Sequence, residues 1–281
     1  MKSFFYLTLR KLYFFLKKSS STIFWLIKVV YSTDMKNHVK CQENVQLLTI
    51  LANGPSLKDD LDKIDFTKGD FSVVNDFYLS PYYKKIKPKY HVLADPVYFR
   101  NDDDIKPFID AVRWDMKFFV PYSALRKVAL LNNMPNKYIE VVPYNSCTYQ
   151  GFECFRNWIY RKGLAMPKVQ NVVVASIFTG INMGYKEIRL YGVDHSWTEA
   201  LRVNNNNQVC FRDTHFWDGA EVQLTPWYTS YGEPQRMHLV LRDLSVTFYS
   251  YHQLRLYAND NCCKIINYTP NSYIDAFDRN K

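Results

Sequence analysis

From residue 45 onward the chain alternates short apolar runs with helix-like segments, and almost every apolar run stops at a small or polar residue. Val45–Ala52, Phe71–Val74, Tyr90–Ala94, Met116–Val120, Tyr138–Pro143, Glu187–Tyr191 and Cys263–Tyr268 read as strands. Leu57–Ile64, Ile105–Trp114, Ser123–Asn132, 168–184 and Leu244–Ala258 read as helices, the fourth closed by Gly184. Such alternation predicts a mostly parallel sheet with helices on both faces, an α/β, Rossmann-like domain. Ligands of these sheets bind outside the carboxyl ends of the strands. Asn53, Asn75, Asp95, Asp194-His195 and Asn271 all fall just past a predicted strand, so a single ligand crevice is expected along that edge.

The first such strand end, Asn53-Gly54-Pro55-Ser56, turns sharply into a helix-like segment. Glycine there allows close backbone approach, and Pro55-Ser56 offers a helix start whose free N–H groups favour an anion. The stretch has neither the Lys-Ser/Thr ending of a P-loop nor the three-glycine spacing of a dinucleotide fingerprint. Only 9 glycines occur in 281 residues, against 22 Tyr, 19 Phe and 6 Trp, which fits a packed fold and not a glycine-rich cofactor loop.

The net charge of +9 is concentrated at one end. Residues 1–40 hold eight Lys/Arg against Asp34 alone, so +7 of the total lies there. A nucleic-acid binder carries its basic surface on the folded body, so nucleic acid is not expected as a partner. The apolar runs of this leader are broken by cations and fall short of the roughly 20 residues of a membrane-spanning helix. Aromatics and leucines interleaved with Lys/Arg predict one helix, or two meeting at Ser19-Ser20-Ser21, lying on an anionic membrane surface through residues 1–32. The competing expectation is a helix packed on the protein's own core. The chain thus divides into a leader (1–40) and a catalytic body (41–281), with an irregular, lid-like region at about 196–242. Six cysteines without a CxxC pair point to a reducing compartment, with Cys262 and Cys263 expected on opposite sides of a strand. A cytoplasmic protein held at the inner face of a membrane is expected.

"ILANGPSLK", "VVNDFYL", "HVLADPVYF", "MGYKEIRLYGVDHS" and "KIINYTPNS" resemble, in order, the landmarks of the bacterial lipooligosaccharide sialyltransferases. They also resemble related bacterial proteins described as pterin-diphosphokinase-like. The likeness covers roughly residues 46–100 and 170–275. It implies a glycosyltransferase that moves a sugar from a nucleotide donor to a surface glycan or lipid-linked precursor, by inverting, metal-independent displacement. It carries donor contacts onto Asn53, Gly54, Ser56, Asn75, Asp76 (where the family often has Gln), Asp95, Pro270, Asn271 and Ser272, to which the turn after the first strand and the strand end before His195 add Pro55 and Asp194 as candidate donor contacts. It implies a histidine base ahead of the last helix, nearest to His238. The chain departs from the family at Val172-Val173-Val174, where a Thr-Ser-Gly helix start is usual, and at Ser196, where a phosphate-holding tyrosine is usual. Cytidine and other nucleotide donors therefore stay open.

His195 and His215, at a strand end and in the irregular region, join His238 as candidate bases, because a near-neutral imidazole can take a proton from an acceptor hydroxyl. His91 inside a strand reads as a core residue, and His38 and His252 as structural or exposed. Arg202, Arg212 and Arg236 could neutralise a leaving phosphate, and Trp197, Phe216, Trp217 and Trp227 could stack on sugars. "NDDDI" at 101–105 could hold Mg²⁺ or Mn²⁺ on a diphosphate, but acids before a helix stabilise its positive end, which is the preferred reading. No cofactor is expected. Two alternatives remain: an ATP- and magnesium-dependent pterin diphosphokinase, and a non-catalytic nucleotide-sugar scaffold. A homo-oligomer is compatible with each of these readings.

Overall fold

The computed structural model describes residues 2–35, 39, 41, 42, 45–212, 214–218, 223–229 and 232–280. Eight strands form one sheet: β1 (Leu47–Leu51), β2 (Asp70–Val74), β3 (Tyr90–Val92), β4 (Met116–Pro121), β5 (Ile139–Tyr144), β6 (Glu187–Tyr191), and two labelled by the strands between them, β10 (Lys264–Asn267) and β11 (Asp278–Arg279). Their order is β11-β10-β6-β1-β2-β3-β4-β5, and every adjacent pair runs parallel. The chain steps outward from β1 to β5, then returns to the other side of β1 with β6. The strand order therefore reverses between β1 and β6. β7 (Arg202–Val203), β8 (Val209–Phe211) and β9 (Thr225–Pro226) build a small antiparallel sheet inside the predicted lid.

The period of two along each strand sends its side chains into two cores. Leu48, Ile50, Val74 and Phe119 face one side, and Leu51, Val73 and Phe118 the other. The first side is covered by α7 (Val172–Met183) and α9 (Met237–Asp260), together with α6 (Glu153–Arg161) and Val29 of α1 (Lys2–Ser32). The second is covered by α4 (Asp102–Ala111), with the short α2 (Leu57–Asp60), α3 (Tyr82–Ile86) and α5 (Ala129–Asn132) nearby. α8 (Trp197–Ala200) follows β6 at the start of the irregular region. Burial on both faces explains why β1, β2 and β4 read as apolar runs without alternation, whereas β6 (Glu-Ile-Arg-Leu-Tyr) alternates and is buried only at alternate residues.

Several boundaries differ from expectation for local reasons. The long apolar helix starts at Val172, because Asn171 Oδ1 accepts the Val173 N–H at 2.9 Å and caps it, and it ends on Gly184 at φ 95°. The helix expected over Ser123–Asn132 splits into a 3₁₀ turn and α5, and the last helix begins at Met237. Cys262 and Cys263 do not alternate on a strand. Cys262 lies exposed in a turn at φ 54°, Cys263 is buried, and β10 begins one residue later. All six cysteines are free.

Lys2–Ser32 of the leader form one continuous helix, not two. No helix among the described residues is long and apolar enough to cross a membrane. Its second half packs on the body: Ser21 Oγ donates to Gln150 O (3.2 Å), and the Phe152 N–H donates to Thr22 Oγ1 (3.0 Å). Buried Asn145 clamps the helix end, accepting from Asp34 N and donating to Asp34 O, each at 3.0 Å. The packing expectation thus holds for that half. His38 lies outside the described residues.

Candidate functional site

A cleft of about 480 Å³ opens along the carboxyl ends of β2 to β5 and the start of α7. Asn75, Asp95, Lys127, Ser146, Lys168 and Asn171 supply most of its polar lining, with Phe99, Pro121 and Tyr144 as apolar wall. The volume falls within the range of sites for small organic ligands. Among the described residues neither lysine has an ion-pair partner, and Asp95 is the only carboxylate in the lining. Asp95 Oδ1 accepts the Val97 N–H at 3.0 Å, closing the turn after β3. The mouth is therefore net positive, and the positive end of the twelve-residue α7 adds to it.

Asn75 sits at φ 44°, a left-handed conformation that asparagine tolerates better than most residues. Buried His91 fixes it there. The ring Nε2 bonds to Asn75 O at 2.8 Å, and Nδ1 bonds to the Tyr83 hydroxyl at 2.9 Å. The carbonyl can only accept, so Nε2 carries the proton and Nδ1 accepts from Tyr83. Burial holds the ring pKa down to about 4, so it is neutral at physiological pH. His91 is the satisfied core histidine that its place inside a strand suggested. Asn75 Oδ1, and Asn53 Oδ1 on the next strand, are shielded from solvent without a hydrogen-bond partner. Asn53 Nδ2 donates to Val74 O at 3.3 Å, tying the two strand ends together. Asp76 accepts from the Tyr98 hydroxyl at 2.8 Å.

The Asn-Gly-Pro-Ser turn has a different partner from the one its sequence advertises. α2 is only four residues long, and the Ser56 side chain makes no cap on it. Ser56 instead donates through Oγ to Asp194 Oδ2 (2.8 Å) and through its N–H to Oδ1 (3.3 Å). The anion on this loop is thus a carboxylate of the protein itself. Gly54 N–H donates to Gly192 O at 2.9 Å, joining the ends of β1 and β6 where the strand order reverses. A methyl group on Gly54 would overlap the Asp194 carboxylate and come within 2.5 Å of Gly192 O. Burial raises the Asp194 pKa, and the Ser56 bonds oppose that rise. Pro55 stays exposed.

The three candidate bases lie in three environments. His195 is buried at φ 54°, with Nε2 2.6 Å from the Tyr251 hydroxyl. Tyr251 also reaches Asn171 Oδ1 at 3.3 Å, so His195 is linked to the cap of α7 rather than to solvent. Burial pushes its pKa down to about 3, leaving it a weak base. His238 is exposed in the first turn of α9. His215 is half-buried beside Asp218, whose Oδ2 accepts its backbone N–H (2.7 Å) and its ring Nδ1 (3.3 Å). Trp217 stacks on the imidazole with centroids 4.8 Å apart. The neighbouring Phe216 N–H donates to Asn53 O at 3.1 Å, and its ring packs on Phe77. These contacts seat this segment on the ends of β1 and β2.

Of the predicted residues, the cleft gathers Asn75 and Asp95, with Asn53 one strand away. Pro270 and Asn271 form an exposed turn, with Asn271 at φ 53°. Ser272 points inward, its hydroxyl donating to Val193 O at 2.6 Å and accepting from Asn267 Nδ2 at 3.0 Å. Arg202, Arg212 and Arg236 are exposed outside the cleft lining. The acidic run behaves as a helix start: Asn101 Oδ1 accepts the Asp103 and Asp104 N–H groups, and Asp102 accepts the Leu130 N–H at 3.2 Å. No cluster of three or more metal-ligating side chains occurs among the described residues. Sequence reasoning missed Lys127, Ser146, Lys168, Asn171 and Asp218. Only Asn171 carried a local signal, as a capping residue directly before an apolar helix.

No known family profile matches the chain, and no curated protein matches it. Among solved structures it is similar to a monofunctional alpha-2,3-sialyltransferase from Campylobacter jejuni, with 16% identity, 87% of this chain and 83% of that one covered, and a TM-score of 0.48. It is also similar to an alpha-2,3-sialyltransferase from Campylobacter jejuni in apo form, with 17% identity, the same coverage of 87% and 83%, and a TM-score of 0.44.

Proposed function

We propose that the chain is a glycosyltransferase that draws its sugar from a nucleotide donor bound in the cleft. The observation that carries this reading is the composition of the cleft. Two lysines without an ion-pair partner among the described residues and the start of α7 line it, suited to phosphate. Asn75, whose amide oxygen has no hydrogen-bond partner among the described residues, lines the adjoining strand end, a residue type suited to a base or ribose donor. The motif order shared with the lipooligosaccharide sialyltransferases points the same way, and the acceptor would be a glycan or a lipid-linked precursor.

In this reading His215 is the general base. Asp218 accepts the Nδ1 proton and leaves Nε2 free to accept another. The acceptor hydroxyl gives its proton to Nε2, and its oxygen forms the new bond to the anomeric carbon. The bond from that carbon to the donor phosphate oxygen breaks with its electron pair leaving on the phosphate. The lysines stabilise the negative charge that develops there. Asp194 and Ser56 hold the β1–β6 edge and act as scaffold.

Transfer assays on His215→Ala, His238→Ala and Asp218→Asn test the assignment. Loss of a general base lowers kcat by roughly 10²–10⁴-fold. The loss is expected for His215, with a smaller loss for Asp218→Asn and little change for His238. Full activity in His215→Ala rejects the base assignment.

A further inference from the structure

The docked half of α1 uses one stripe of the helix, built from Thr22, Trp25, Leu26 and Val29. A second apolar stripe lies on a different face of the helix and is exposed. Tyr6, Leu9, Tyr13, Leu16, Ile23, Ile27 and Val30 follow each other at helical spacings of three, four or seven residues, and all are exposed. Leu12, Phe24 and Tyr31 widen it, and Tyr13, Ile23, Phe24 and Val30 are each at least 60% exposed. An apolar stripe of this length on a helix of 31 residues needs a covering partner.

Charge identifies that partner. Arg10, Lys17 and Lys28 run along one flank of the stripe, and Lys11 and Lys18 lie beyond them. The helix contains no Asp or Glu. A second copy of α1 laid against the stripe would bring cations to cations, without the opposite charges that flank a paired seam. We infer that the exposed stripe of α1 docks on an anionic lipid bilayer, lying in the plane of its surface with aromatic and aliphatic side chains buried at the headgroup boundary.

The anchor has a consequence for the site. Asn145, which clamps Asp34 at the end of α1, is followed by Ser146 in the cleft lining. The same joint therefore fixes the membrane-bound helix and the rim of the cleft. An acceptor embedded in the bilayer would meet the cleft from that rim. The docking claim itself does not depend on what the cleft binds.

Flotation of the full chain with phosphatidylcholine vesicles, with and without phosphatidylglycerol, tests the inference in the absence of any nucleotide. Binding is expected only where phosphatidylglycerol is present. Lys17→Glu combined with Arg10→Glu should weaken it by at least about tenfold, and by less at high salt. Tyr13→Ser with Ile27→Ser, both fully outside the docked stripe, should weaken it by about tenfold or more without changing the thermal midpoint of the body. Failure to float with either vesicle overturns the inference. So does a lipid-independent dimer that the Tyr13→Ser and Ile27→Ser changes dissolve, because that outcome assigns the stripe to a second copy.

Discussion

The His91 imidazole bonds the Asn75 carbonyl at 2.8 Å and thereby holds a left-handed asparagine at the edge of the cleft. Backbone and side chain of Asn75 can be tested separately. Glycine keeps the left-handed backbone and deletes the amide, while alanine also pays a conformational cost of about 1–2 kcal/mol. Asn75→Gly should keep near-wild-type stability and weaken nucleotide binding about fivefold, as expected for one lost hydrogen bond. Asn75→Ala should show the same binding loss and a lower urea midpoint. Equal binding in all three proteins removes Asn75 from the site.

Two buried histidines make stability depend on pH. The folded pKa is about 4 for His91 and about 3 for His195, both below the unfolded value of 6.5. The unfolded chain therefore binds more protons below about pH 6.5, and stability falls as pH drops through that value toward the folded pKa values. Urea unfolding at about pH 5 should show a clearly lower midpoint than at about pH 7.5. His91→Gln, which retains a donor for Asn75, should flatten the dependence. Identical pH profiles for the two proteins would contradict the assignment.

Gly54 lies where the ends of β1 and β6 meet, with no room for a methyl group. Gly54→Ala should cost at least about 2 kcal/mol, because backbone and the Asp194 carboxylate must both move. Equilibrium unfolding checks this, and an unchanged midpoint would show that the junction gives way easily.

Lys127 and Lys168 should act on phosphate rather than on base or ribose. Replacing either with alanine is expected to weaken nucleotides several-fold, leave the free nucleoside unaffected, and reduce the salt dependence of binding. Equal losses for nucleotide and nucleoside would place the lysines in a structural role.

Most strand ends were legible because a buried parallel strand favours an apolar run, and the chain marks the ends of β1, β2, β3 and β6 with Asn53, Asn75, Asp95 and Gly192. A cleft at the strand ends followed from the topology, but it lies along β2 to β5, and of the expected residues only Asn75 and Asp95 line it. What the sequence could not show was which way a side chain turns at a strand end. His195 stands at such an end as Asn75 does, yet its ring turns inward to Tyr251, 56 residues away. The Ser56–Asp194 pair spans 138 residues, so a turn that reads locally as an anion cradle is closed by a distant carboxylate. Lys127, Ser146 and Lys168 come from connections without periodicity, and only the folded sheet brings them to one rim. The place of the acidic run at 102–104 in the first turn of α4, behind the Asn101 cap, was readable, since helix starts carry their own local signature.

The central claim is that the cleft binds a sugar nucleotide, and a thermal-shift titration with nucleosides, nucleotides and nucleotide sugars tests it most directly. A ligand at a hundredfold excess over its dissociation constant stabilises the fold by about 2.7 kcal/mol, which raises the midpoint by roughly 5 °C or more. One nucleobase class should produce that shift, its sugar-linked form at least as strongly, and Asn75→Gly and Lys127→Ala should each reduce it. No shift with any nucleotide or nucleotide sugar, or a shift that both substitutions leave intact, would contradict the account.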